Sequence, residues 1–192
     1  KQELERLERG SGSGEVEQLF LAPDRSVRSL CESPERRAWF RGRLQARIDI
    51  AFPVVHGTHG EDGTLQGLFE LADIPYVGPG VAASAAGMDK ILSKLIFRGA
   101  GLPTVEATWF TRRQWLENEA TVSARVESSL PYPVVVKPAV AGSSVGIARA
   151  ASTAELCRAV AQAIQFGTRV LVERAVEDRL EVQCAVLGNH DL

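Results

Sequence analysis

Long apolar runs, an excess of basic charge and a paired set of cysteines are all missing from this 192-residue sequence. No apolar stretch approaches the ~20 residues that a membrane-crossing helix needs. The N-terminal "KQELERLERG" is charged where a secretory leader would carry its apolar region, so the expectation is a cytoplasmic protein with no membrane association. Twenty-two Lys and Arg stand against 24 Asp and Glu, a net charge of -2. There is no basic stripe to track a phosphodiester backbone, which argues against nucleic acid as a partner. Cys31, Cys157 and Cys184 are odd in number and widely spaced, which suggests neither a disulfide framework nor a zinc knuckle; they read as small core residues in a reducing compartment. His56 and His59 lie near Glu61 and Asp62, but without helical i,i+4 spacing or a third ligand at a familiar distance, so no metal site is expected. His59 and His190 read as exposed loop residues. A Walker loop is absent too, since GxxxxGK[ST] does not occur.

What is present is an ordinary globular balance, 45% hydrophobic and 24% charged residues, in a chain long enough for one large or two small domains. The sequence opens without an initiating methionine and stops at "AVLGNHDL" as a strand pattern gives way to a turn, so the expectation is a piece of a larger protein. Residues 1–47, with the run "GSGSG" and the polar helix candidate "PERRAWFRGRLQAR", receive no function. From Ile48 the texture changes. "IDIAFPVV" reads as a buried strand ended by His56-Gly57. In "GTLQGLFELADI", Leu65, Leu68, Phe69 and Ala72 share one helical face, with Thr64 placed as cap. "IPYVG" reads as the next strand. "ASAAGMDKILSKLIFRGAG" reads as one helix, with Met88, Leu92, Leu95 and Ile96 on one side and Gly99 as its stop. Alternating strands and helices predict an α/β domain with a parallel sheet.

A domain boundary is expected near 102–106, giving an incomplete first domain over 1–102 and a second over 103–192. Beyond it come a polar helix over 112–128, the strand "PVVVKP", a second strand "GIARA", and a helix over 153–166 capped by Thr153 and closed by Gly167. Two further strands follow, "RVLVERAV" and "LEVQCAVLG". This order suggests an α+β unit.

In "YPVVVKPAVAGSSVGIARA", a β-rich run delivers Lys137 to the edge of a loop made almost wholly of small residues. Such a loop lets backbone N–H groups converge on an anion, Ser143 and Ser144 add hydroxyl donors, and Lys137 supplies a point charge suited to phosphate. The combined inference is a phosphate site under a mobile lid. The plainer alternative is a Gly/Ser hairpin turn with a solvated lysine at the strand end.

The motifs "HGTHGEDGTLQG", "MDK" and "VVKPAVAGSSVG" together resemble the D-alanine:D-alanine ligase family of the ATP-grasp superfamily, over roughly 48–192. The resemblance implies an N-terminal α/β domain followed by the central ATP-grasp subdomain, with the C-terminal subdomain absent. It implies an enzyme that phosphorylates the carboxylate of one D-alanine with ATP and lets the amino group of a second attack the acyl phosphate, for peptidoglycan synthesis. Carried over by position, Lys90 and Lys137 contact ATP phosphates, an arrangement suited to phosphoryl transfer. Ser143 and Ser144 belong to the lid, with Ser143 closing over the substrates. Glu173, Arg174 and Val176 line the adenine strand and hinge, and Glu181 accepts from the ribose hydroxyls. His56 and Glu61 line the substrate end. ATP, Mg²⁺ and D-alanine are implied as ligands, the Mg²⁺ ligands and a catalytic arginine are expected beyond Leu192, and the whole protein is expected to be a homodimer.

The sequence departs from the family at Ala175, where a bulky hinge residue is usual, and at "EDRLE", which is one residue long with Asp178 in place of a turn glycine. These put the register of the adenine pocket in question. A glutamate-bearing glycine-rich loop would precede Lys1, so the chain as given is not expected to catalyse. D-alanine:D-lactate and D-alanine:D-serine ligases would share every motif seen. A non-catalytic nucleotide-binding module is the reading from another class, and the intact lysine pair and lid serines argue against it.

Overall fold

The computed structural model describes residues 19–21, 25–26, 28–32, 44–142 and 144–188. The chain divides into two compact units, Lys1–Met88 and Asp89–Leu192.

In the first unit, β1 (Leu19–Leu21), β2 (Ser29–Glu32) and β3 (Leu44–Arg47) form an antiparallel sheet in that order. The strand expected from Ile48 is reduced to a single parallel bridge. Ala51 N donates to Pro75 O at 2.8 Å and Val77 N to Ala51 O at 2.9 Å. Pro53 has no N–H to extend that ladder, and Phe52 and Val54 stand exposed. Parallel pairing in this unit is therefore confined, among the described residues, to Ala51 and Tyr76. Helix α1 (Thr64–Leu71) buries Phe69, which joins Ala72, Ile74, Leu21, Ile48 and Tyr76 in a small core. Thr64 is its first helical residue and does not cap it. The start is held by Asp62, whose Oδ1 accepts from Thr64 N at 3.0 Å and Oδ2 from His59 N at 2.8 Å. Gly63 takes the cap position at φ 91°, where a Cβ would meet Val81 O at 2.7 Å. Helix α2 (Val81–Met88) closes the unit.

The second unit begins with α3 (Lys90–Gly99). The single helix expected across this region is broken at Asp89. Its side chain accepts from Ile91 N and Leu92 N, and its backbone bridges antiparallel to Val140, which a continuous helix would forbid. The inward residue of α3 is Ile91, while Leu92, Leu95 and Ile96 are exposed. The stop is not Gly99. Gly101 N bonds Arg98 O at 3.0 Å and Leu102 N bonds Phe97 O at 2.9 Å, a Schellman motif turning on Gly101 at φ 76°.

The strands β4 (Ala107–Thr111), β5 (Val134–Pro138), β6 (Ala148–Ala150) and β7 (Arg169–Arg174) make one antiparallel sheet in the order β4-β7-β5-β6. The helices α4 (Arg112–Glu117), α5 (Glu119–Ser129) and α6 (Thr153–Ala163) belong to the same unit. Phe110, Val134, Val136, Val170 and Val172 from the strands pack with Leu156, Val160 and Val126 from the helices in one fully buried cluster. The Phe110 ring stacks on Trp115 at 5.5 Å.

The polar helix expected over 112–128 is two helices, because Asn118 leaves helical geometry and its Oδ1 accepts from Thr121 N at 2.9 Å. The cap of α6 is Ser152, not Thr153. "LEVQCAVLG" carries the alternation of a strand but forms none: Leu180 and Leu187 are 87% and 94% exposed, with no neighbouring strand among the described residues. Cys184 is exposed, which corrects the expectation of a core cysteine there, while Cys157 is half-buried and packs against the core cluster; the side chain of Cys31, and all of His190, lie outside the described residues.

The division of the chain falls ahead of the expected boundary. Helix α3 joins the second unit because Ile91 packs with Ala139 and Leu171, and because Lys90 N donates to Ala139 O at 2.9 Å.

Candidate functional site

Alternation along β5 buries Val134, Val136 and Pro138 in the core and leaves Val135 and Lys137 on the other face. Cross-strand partners share a side. The pairs Val135–Glu173 and Lys137–Leu171 therefore bring β7's Glu173 and Leu171 onto that same face. Lys137 Nζ donates to Glu173 Oε2 at 2.5 Å. From α3, Lys94 Nζ donates to Glu173 Oε1 at 2.9 Å and to Val105 O at 2.9 Å. Burial by itself raises the Glu173 carboxyl, but hydrogen bonds from Lys137 and Lys94 outweigh it and hold the group below the ordinary glutamate range.

Lys90 Nζ donates to Ala141 O at 2.6 Å, at the entrance of the small-residue loop. Burial, and then the charge of Lys137, push the Lys90 ammonium below the ordinary lysine range. The two lysines thus lie within each other's field. The loop's start is fastened further by Asp89, which bridges to Val140 and accepts at Oδ2 from the Arg169 guanidinium, while Ala139 N donates to Arg169 O at 2.9 Å.

Past Ala141 the loop turns on two left-handed residues, Ser144 at φ 59° and Gly146 at φ 70°. At Gly146 a Cβ would come 2.7 Å from the Phe166 ring and 2.8 Å from Pro138, so glycine is required both for its φ and for the space. Ser144 is exposed; Ser143 lies outside the described residues. At the far end of β7, Arg174 Nε lies 3.3 Å from Glu106 Oε2, and Val176 is exposed. Ala175 N still donates to Pro133 O at 2.9 Å, so pairing persists up to the expected hinge. Glu181 lies outside any strand and accepts from Arg179 Nε at 2.8 Å, an exposed local pair that lowers its carboxyl.

His56 and Glu61 belong to the first unit. Glu61 Oε2 accepts from Gly57 N at 2.6 Å, and its Oε1 lies 3.8 Å from His56 Nδ1. Both line a cavity of about 530 Å³ with Phe52, Gln66, Val77 and Ser84. The second unit thus gathers Lys90, Lys137 and Glu173 beside the loop, leaves Glu181 on an exposed segment, and keeps Arg174 and Val176 at the end of β7. Sequence reasoning missed Asp89, Lys94 and Arg169. Lys94 was signalled only by its i+4 spacing from Lys90 on α3.

Chemically, the face offers half-buried ammonium groups on rigid elements beside an open backbone loop, an arrangement suited to a polyanion such as a nucleotide's phosphates. Among the described residues there is no group of three or more His, Cys, Asp or Glu side chains that could hold a metal ion. No helix among them is long and apolar enough to cross a membrane.

Residues 6–79 match the family model described as D-ala D-ala ligase N-terminus, and residues 96–192 match D-ala D-ala ligase C-terminus. The chain belongs to the D-alanine-D-alanine ligase family. Among curated members of this ligase family, the chain is 52% identical over 145 residues to the D-alanine-D-alanine ligase of Acetivibrio thermocellus, covering 76% of this chain and 38% of that protein. It is 46% identical over 168 residues to that of Chloroherpeton thalassium, covering 88% and 45%. Among solved structures, it matches the VanG D-Ala:D-Ser ligase of Enterococcus faecalis at TM-score 0.73 and 34% identity, over 90% of this chain and 48% of that one. It matches the D-alanine-D-alanine ligase of Coxiella burnetii at TM-score 0.71 and 29% identity, over 92% and 47%. The chain spans less than half the length of these ligases.

Proposed function

We propose that the chain is the N-terminal domain and central ATP-grasp subdomain of an ATP-dependent ligase that joins two D-alanines for peptidoglycan synthesis. The observation that carries this reading is the Lys137–Glu173 pair, with Lys90 nearby, at the entrance of a small-residue loop inside a chain of this family. In the reaction, a carboxylate oxygen of the first D-alanine attacks the γ-phosphorus of ATP and ADP leaves. The amino nitrogen of the second D-alanine then attacks the acyl carbon, expelling phosphate and losing a proton. Lys90 and Lys137 hold the phosphates, where fixed cations stabilise charge that builds on the transferring group. Ser143 and Ser144 close with the loop. The end of β7, from Glu173 and Arg174 to Val176, holds adenine, with Glu181 on the ribose. His56 and Glu61 face the first D-alanine. Mg²⁺ is expected to arrive with the nucleotide. A cytoplasmic homodimer completes the reading.

D-serine as second substrate is the alternative, favoured by the match to a D-Ala:D-Ser ligase. The test is phosphate release by the whole protein with ATP, Mg²⁺ and D-alanine, repeated with D-serine added. D-alanine-dependent release that collapses in Lys137→Ala supports the ligase. Folded, ATP-binding protein with no such turnover sinks it, and a mixed D-Ala-D-Ser product moves the assignment to the alternative.

A further inference from the structure

Two lysines, Lys94 from α3 and Lys137 from β5, hold one carboxylate, Glu173, while Lys90 of α3 is tied to Ala141 O. Glu173 is divided between the first two, with one oxygen on Lys94 and the other on Lys137. The two partners differ in access. The Lys94 side chain is 13% exposed and is tied a second time to Val105 O, whereas Lys137 is 26% exposed. Of these two, Lys137 is the one that stands directly ahead of the small-residue loop on its strand.

We infer that Lys94 is a positioning residue for nucleotide binding: it retains Glu173 when Lys137 leaves that carboxylate for a phosphate oxygen. This rests on the reading of Lys137 as a phosphate ligand. The physical ground is the cost of an unpaired buried charge. Without Lys94, turning Lys137 toward the nucleotide would strand Glu173, itself only 12% exposed, with no cation on either oxygen. With Lys94 in place the exchange is nearly balanced, because one charge-assisted hydrogen bond to Glu173 persists while another forms to phosphate. Lys94 therefore lowers the cost of releasing Lys137 without itself touching the ligand.

The experiment uses the whole protein and begins with D-alanine-dependent phosphate release in wild type and Lys137→Ala; if that arm fails, the ligase reading fails, and the role of Lys94 falls with it. With that arm positive, Lys94→Met, Glu173→Gln, the double variant and Lys94→Arg are compared for KM of ATP, kcat and unfolding midpoint. The expected result is a KM for ATP raised about ten-fold in Lys94→Met with kcat changed far less, as loss of one charge-assisted bond predicts. Lys94→Arg should restore most of it. In the Glu173→Gln background, where no buried charge remains to be stranded, Lys94→Met should add almost nothing. Two outcomes overturn the inference: a lowered midpoint with unchanged KM, or the same rise in KM whether residue 173 is Glu or Gln. Should Lys94→Met fail to fold, Lys94→Gln replaces it in both backgrounds with the same criteria.

Discussion

Lys137 Nζ and Glu173 Oε2 lie 2.5 Å apart on adjacent antiparallel strands, displaced diagonally by two residues in the register. The buried valines on the opposite side of the same strands hold β5 and β7 in that register, so the pair is positioned by the sheet.

Replacing Lys137 with Ala removes the phosphate partner proposed here and leaves Glu173 to Lys94. Turnover is expected to fall by about two orders of magnitude or more, as when a preorganised charge donor is deleted. Stability should fall by about 1 kcal/mol, the scale of one lost hydrogen bond at a partly exposed site. Steady-state phosphate release together with urea unfolding measures both, and unaltered turnover would remove Lys137 from the site.

Asp89→Ala deletes a helix cap and the partner of Arg169 in one step. A destabilisation of about 1–2 kcal/mol follows from the cap alone. Because the lost side chain also ties α3 to Arg169, whose carbonyl holds Ala139 at the start of the loop, the loop should become more susceptible to limited proteolysis near Gly142. Cleavage at the wild-type rate would show that α3 does not restrain the loop.

Gly146→Ala meets a left-handed φ and two close neighbours, the Phe166 ring and Pro138. The expected loss is about 2 kcal/mol, combining backbone strain with local crowding. Adding Phe166→Ala should recover only the share of the crowding owed to that ring and leave the strain and the Pro138 contact, so a double variant restored to full wild-type stability would contradict the prediction.

Asp62 accepts hydrogen bonds chiefly from the His59 backbone and from Thr64, which lower its pKa from 3.8 to about 2. Since the folded value is depressed, its contribution is fully present above 3.8 and is lost as pH falls toward about 2. Asp62→Asn should therefore be less stable than wild type at neutral pH, and the gap should close on acidification through that window. Urea midpoints at a series of pH values decide it, and a gap that stays constant down to pH 2 would place the effect elsewhere.

The sheet and its neighbouring helices were legible where pattern and packing coincide. Val134 to Pro138 alternates cleanly, and both that strand and "RVLVER" form where expected. What misled was any signal that a tertiary contact overrides. Asp89 looked like one polar residue inside a long helix, and only the loop it pairs with makes it a break. Thr64 and Thr153 looked like caps, but Asp62 and Ser152, one or two residues earlier, hold those helix starts. The alternation in 180–188 is a real strand pattern, yet a strand needs a neighbour to pair with, and none is described. Lys90, Lys137 and the loop stand out from motif and chemistry together, whereas the tie from Lys94 to Glu173 joins residues far apart in sequence that no local pattern connects.

The alternation of β5 has a consequence for how this chain tolerates change. Odd and even positions answer to different demands: Val134, Val136 and Pro138 to cohesion, and Lys137 to its charged partner. Deleting one residue ahead of Lys137 would turn the ammonium into the hydrocarbon interior and the valines out to water, so the strand cannot lose its register and keep either property. Change on the Lys137 side is confined to substitution in place, and length variation has to be absorbed in the loops on either side of the strand.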